Sequence, residues 1–189
     1  GIRDPRGLSA TTLQGLFHVI AMPMAARRAV VQAVEAAGLD VAQLSSTLPA
    51  ALAGAGEKVR GKARVLLIDV GGWMTDIGLF VEGILHDSDA IPCGGVRLAT
   101  AMAHTLRVTM DEAVHVSREG VVSKRADVRE MVTAHWEQLQ HALTLILKDH
   151  PLPDVAVVTG RGALTDGFVE WVEHTTGITT VLGRSARLK

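Results

Sequence analysis

The residues best placed to do chemistry lie between Val65 and Phe80. An apolar run, Val65–Ile68, ends in Asp69; Gly71 and Gly72 follow, then Thr75-Asp76, and a second apolar run begins at Ile77. Glycines let backbone amides approach an anion, and successive turn amides form a concave seat for phosphate. A carboxylate closing the entering strand can hold a magnesium ion, usually through water. The competing reading is a plain Asp/Gly hairpin turn with no ligand. The remaining polar residues offer less. The eight histidines are scattered without metal-site spacing, and His135 and His141 fall on different faces of a helix, as surface histidines do. No Gly-x-Ser-x-Gly elbow surrounds Ser9, Ser45 or Ser46, so nothing points to a serine nucleophile. The single Cys93 reads as a small buried apolar side chain.

The elements that must position these residues follow from periodicity and turn chemistry. Apolar runs predict strands near 65–70, 75–81 and 84–91, with Glu82-Gly83 turning the second hairpin. Gly94-Gly95 opens a helix to Leu106, and Thr109 with Glu112 has the spacing of a capping box. Residues 126–148 form an amphipathic helix with Met131, Val132, Trp136, Leu139, Leu143 and Ile146 on its apolar side. A strand at 155–158 runs into Thr159-Gly160-Arg161-Gly162-Ala163, followed by a helix over 166–176 and a strand over 178–182. Upstream, residues 11–22 read as one long strand, and Pro23 starts a helix whose Val30, Val34 and Ala37 share a face. The order predicts an α/β fold, a mixed sheet with helices on both faces. Three segments result: 1–44, an Ala/Gly-rich and charged linker over 45–62 that opens with a short Ala-rich helix, and a domain over 63–189.

Composition narrows the class. The chain has 189 residues, is nearly half apolar and carries a net charge of −1, which fits a globular chain and disfavours nucleic acid or anionic membrane as partner. One cysteine precludes an internal disulfide, no apolar run reaches the roughly 20 residues of a membrane helix, and the cytoplasm is the expected compartment. The chain opens at Gly1 and reads as a piece of a longer protein.

Five segments, in order, resemble the FtsA family of actin-like ATPases: Asp4-Pro5-Arg6-Gly7-Leu8 with the strand after it, Val34–Asp40, Leu67–Gly72, Ile91–Gly95 and Val157–Ala163. The pilus-assembly PilM family shares much of this pattern. The resemblance implies a ribonuclease-H-like half-domain over 63–189, preceded by a strand–helix piece of the other half. It also implies ATP with magnesium as cofactor, held by Asp69, Gly71, Gly72, Thr75, Gly160, Gly162 and Ala163, with Asp69 organising the metal. No catalytic residue is assigned, because the family's first phosphate loop is absent from these residues and this chain is at most one wall of the cleft. Any ATPase activity would be slow and need that other wall.

The departures matter as much. Trp73 and Met74 stand where the family loop has Gly and Thr, Val114 and Ser117 where it has Glu and Lys facing the nucleoside, and Arg161 replaces a glycine of the adenosine loop. Trp73 is expected to crowd the phosphate seat, leaving nucleotide binding by this chain weak or absent. The alternative is therefore a PilM-like scaffold that binds protein without nucleotide. The resemblance names an FtsZ-like filament or pilus-assembly proteins as partners, although the interval from Gly120 to Val155 holds little beyond one helix where FtsA carries its FtsZ-binding subdomain. An unpaired strand at 11–22 would add self-association, a homodimer or higher oligomer.

Overall fold

The computed structural model describes residues 6–15, 19–118, 122 and 124–183. The chain divides into two compact units, Gly1–Val41 and Ala42–Lys189. Asp4-Pro5 of the first motif, the centre of the expected 11–22 strand and the tail beyond Gly183 lie outside the described residues.

In the first unit, helix α1 spans Met24–Ala36 after Pro23, and none of its side chains is buried. The predicted strand over 11–22 is not formed by its described residues, which are extended or bent without a ladder. A strand exists only through hydrogen bonds to a neighbour, and no described segment of this unit supplies one. The argument for association through that edge goes with it. What remains is exposed apolar surface, with Met24 and Val30 at least half exposed.

The second unit holds a five-stranded mixed sheet. Strands β1 (Arg64–Val70), β2 (Thr75–Val81), β3 (Ile84–Ile91), β4 (Val155–Thr159) and β5 (Thr180–Leu182) lie in the order β3-β2-β1-β4-β5. The first three are antiparallel neighbours, and β1–β4 and β4–β5 are parallel. The run at 65–70 is apolar at nearly every position because both faces of the sheet are covered. On one face, Leu66, Ile68, Ile77 and Val158 meet Met102 of α3 (Gly95–Leu106), and Val132 and Leu139 of α5 (Ala126–Leu147). On the other, Val65, Leu67, Phe80 and Val157 meet Leu48 and Ala55 of α2 (Thr47–Ala55).

That second cluster corrects the reading of 45–62 as a linker. Its first half is α2, followed by a 3₁₀ turn at Gly56–Val59, and together they roof the sheet. The Ala/Gly composition reflects close packing against strands rather than chain flexibility. Helix α4 (Met110–Val116) begins with the expected capping box: Glu112 N donates to Thr109 Oγ1 at 3.2 Å, and Thr109 N to Glu112 Oε2 at 2.8 Å. Helix α6 (Phe168–Thr176) is pinned to α5 by Trp136, whose ring centroid lies 5.4 Å from that of Phe168 and 5.3 Å from that of Trp171. Among the described residues between Arg118 and Val155, α5 is the sole regular element.

Candidate functional site

The C-terminal ends of β1 and β4 stop side by side, with Asp69 in register with Thr159. Everything of chemical interest gathers on that edge. The β1–β2 turn is closed by Gly71 N donating to Met74 O at 2.9 Å. It then seats on the start of α3, where Gly95 N donates to Gly71 O at 3.0 Å and Val96 N to Gly72 O at 2.8 Å. Turn carbonyls therefore occupy the leading amides of α3, and that helix end is not an anion site. Free donors lie on the turn itself, where the amides of Gly72 and Trp73 make no hydrogen bond to described residues.

Glycine is required here for proximity rather than for backbone angle. Neither Gly71 nor Gly72 has a positive φ. A Cβ on Gly94 would lie 2.3 Å from Gly72 O, one on Gly162 would lie 2.4 Å from Val70 Cγ1, and one on Gly95 would lie 3.1 Å from the Gly162 Cα. Gly160 combines both demands, with φ +83° and a would-be Cβ 2.3 Å from Val70 O. These glycines let three backbone segments meet where side chains would hold them apart.

Two depressions flank this junction. The first, about 300 Å³, has the turn glycines Gly71 and Gly72 at one end. Val96, Met110 and Val114 give it an apolar wall, and Ser117, Arg118, Arg161 and Thr165 complete its lining. Helical spacing puts Met110 and Val114 on one face of α4, and Arg118 follows in the turn that ends it. The second, about 330 Å³, contains Asp69, Thr159 and Gly160 opposite Ala50, Ala51 and Gly54 of α2. Thr159 Oγ1 donates to Asp69 Oδ1 at 2.8 Å, and no described group takes Oδ2. Asp76 stands across the ladder from Asp69, and burial together with the Asp69 charge holds its carboxyl above the usual range.

The seven residues singled out in the sequence thus divide three ways. Gly71, Gly72 and Gly162 line the first depression, and Asp69 and Gly160 line the second. Thr75 and Ala163 are buried: Thr75 Oγ1 donates to Cys93 O, and Ala163 belongs to the core. Trp73 is 72% exposed and is not among the residues lining the first depression. The turn does not demand left-handed backbone at this position either. Arg118 is a site residue that motif reading missed; its signal was the four-residue step from Val114.

His135 also departs from its surface reading. It is half-buried, with Nε2 3.3 Å from Cys93 Sγ, while the thiol donates to His135 O at 3.2 Å. Burial pushes the Cys93 thiol up to about 11, which leaves it a packing group rather than a nucleophile.

Magnesium takes oxygen ligands and keeps several waters, needing only one or two carboxylates from the protein. Asp69, with one free carboxylate oxygen in an open depression, fits that demand. No described side chain of α2 facing Asp69 carries a polar group that could orient or deprotonate water.

No protein-family model matches the chain. In sequence it is 28% identical over 116 residues to the cell division protein FtsA of Pseudomonas aeruginosa, covering 61% of this chain and 28% of that protein. The chain thus spans under a third of the length of that relative. In structure it is similar to the PilM–PilN type IV pilus biogenesis complex, with TM-score 0.70 and 19% identity over 83% of this chain and 47% of that one. It is also similar to MreB5 of Spiroplasma citri bound to ADP, with TM-score 0.72 and 16% identity over 86% and 61% of the two chains. The chain has the actin-like ATPase fold.

Proposed function

We propose that this chain, FtsA-like in sequence and actin-like in fold, supplies one wall of a nucleotide cleft and acts in cell division through protein–protein assembly rather than turnover. The observation that carries this reading is the first depression. Its turn glycines, α4 wall and post-β4 loop are the three elements that the FtsA resemblance assigns to phosphate and nucleoside, and they converge on one space of about 300 Å³. An MreB5 relative with the same fold is described bound to ADP.

Within it the chain's own residues have limited tasks. The free amide of Gly72 would donate to a phosphate oxygen and Val96, Met110 and Val114 would cover the faces of the base, while Asp69, which lines the second depression, would hold magnesium-bound water from there. ATP with magnesium supplies the charge that the other half of the cleft would close upon. Contacts from one wall only keep binding weaker than roughly 100 µM. The alanines and glycine opposite Asp69 offer no base for hydrolysis at that position. Partners would engage exposed apolar surface such as that of α1.

A second reading, a scaffold without nucleotide, is favoured by Ser117: it is buried and its hydroxyl donates to Val114 O at 2.8 Å, leaving no free polar group where the family has a charged pair. Photolabelling with an azido-adenine nucleotide at millimolar concentration separates the two. The cleft reading expects label in peptides covering 96–118 and 161–165, competed by ADP; label spread over the surface, insensitive to competitor, supports the scaffold.

A further inference from the structure

We infer that, on the reading that this cleft seats a nucleotide, Arg118 and Arg161 make it select guanine over adenine. The inference starts from an imbalance of donors and acceptors around the rim. Among the described residues, the cleft lining contains two guanidinium groups and no Asp, Glu, Asn or Gln. Neither guanidinium forms an ion pair with a carboxylate among the described residues. Arg118 is half-buried, Arg161 is exposed, and Arg118 Nη2 donates to Arg161 O at 3.4 Å. A guanidinium carries five N–H donors in a planar fork and accepts nothing.

The backbone carbonyls on the same rim are already engaged. Val114 O takes the Ser117 hydroxyl at 2.8 Å. Gly162 O takes both Thr165 N at 3.1 Å and Thr165 Oγ1 at 2.8 Å. Arg161 O receives Leu164 N at 3.3 Å besides Arg118. The rim therefore offers hydrogen-bond donors in excess.

The two purines differ in what they need from such a rim. Adenine presents a ring acceptor beside an amino donor, a pair that the all-donor fork of a guanidinium does not match. Guanine presents O6 and N7, two adjacent acceptors that match the fork of an arginine, while its N1–H and 2-amino donors lie on another edge of the base. The apolar wall of Val96, Met110 and Val114 contacts ring faces, which are alike in both bases, so discrimination falls to the arginines. A polar site rejects the ligand that leaves its groups unpaired far better than an apolar one rejects an isostere.

The test is low-affinity calorimetry on the 189-residue chain with millimolar GDP, ADP and inosine diphosphate, repeated for Arg161→Ala and Arg118→Ala, with each variant's folding checked by its thermal unfolding midpoint. GDP should bind about tenfold more tightly than ADP. Inosine diphosphate, which keeps O6 and N7 but lacks the 2-amino group, should follow GDP, and this comparison needs no variant. Each substitution should weaken GDP while leaving ADP within about twofold of wild type. Parity or adenine preference in the wild-type chain overturns the inference while leaving the nucleotide reading intact. Equal weakening of GDP and ADP by the substitutions also overturns it, since the arginines would then be serving phosphate. Absence of binding by any of the three nucleotides overturns the nucleotide reading and this inference with it.

Discussion

Asp69 and Asp76 stand opposite each other across the β1–β2 ladder, on the sheet face that α2 covers. Cross-strand partners share a face, and like charges placed directly opposite destabilise the pair. The consequence is visible at Asp76, whose carboxyl is held above its usual range by burial and then by Asp69. Folded, Asp76 keeps its proton to higher pH than in the unfolded chain. Stability is therefore full below the ordinary Asp range and is lost as pH rises through the raised value. Asp76→Asn should stabilise the chain by roughly 0.2–1 kcal/mol near neutral pH, and the gain should vanish in acid. Urea unfolding at both pH values checks this; a loss of stability at neutral pH would show that the Asp76 carboxylate is needed there.

Thr75 is fully buried, and its hydroxyl donates to the carbonyl of Cys93, tying the β1–β2 turn to the segment before α3. Thr75→Val keeps the shape and leaves that carbonyl unpaired, so it should cost about 1–3 kcal/mol. The denaturation midpoint reads it directly. A neutral substitution would mean that the hydroxyl was not holding the turn.

Gly83 and Gly160 both have positive φ, yet only Gly160 is crowded: nothing lies within 4 Å of a Cβ at Gly83, against 2.3 Å to Val70 O at Gly160. Gly83→Ala should cost about 1–2 kcal/mol from backbone strain alone. Gly160→Ala should cost more, because backbone must also move. Thermal unfolding of the two variants side by side would reveal the difference, and equal losses would contradict the close approach of β1 to the post-β4 loop.

Much of the fold was legible because its signals are local or periodic. The apolar runs at 65–70 and 75–81, the Thr109–Glu112 box and the stripe on α5 all appear where their patterns put them. The strand expected at 11–22 failed because β pairing depends on a neighbour that sequence periodicity does not reveal. Residues 45–62 misled because alanine and glycine serve close packing as readily as they serve a linker. At the site, glycine spacing located the junction, but which side of the sheet each residue faces depended on strand parity. That parity sends Asp69 and Thr75 to opposite faces.

His135 lies below its ordinary range because burial disfavours the imidazolium and Arg97 repels it; a hydrogen bond with the Gly94 backbone acts in the other direction. Unfolded, the histidine titrates near 6.5. Folded, it takes a proton only at lower pH, so stability present above that value is lost as pH falls through the folded one. The urea midpoint should therefore drop between about pH 7 and about pH 5.5, and His135→Gln should flatten that drop. Superimposable profiles for the two proteins would remove His135 from the account.

The central claim is that the turn at Gly71–Gly72, the outer face of α4 and the loop after β4 form one wall of a nucleotide site. Amide-resolved NMR of the labelled 20.0 kDa chain, titrated with ADP to millimolar concentration, tests it residue by residue. The account predicts saturable shifts at Gly72, Trp73, Val114, Arg118 and Gly162, with a dissociation constant weaker than about 100 µM, while α1 and β3 stay unmoved. Shifts confined to other surfaces, or none at these amides, would contradict it.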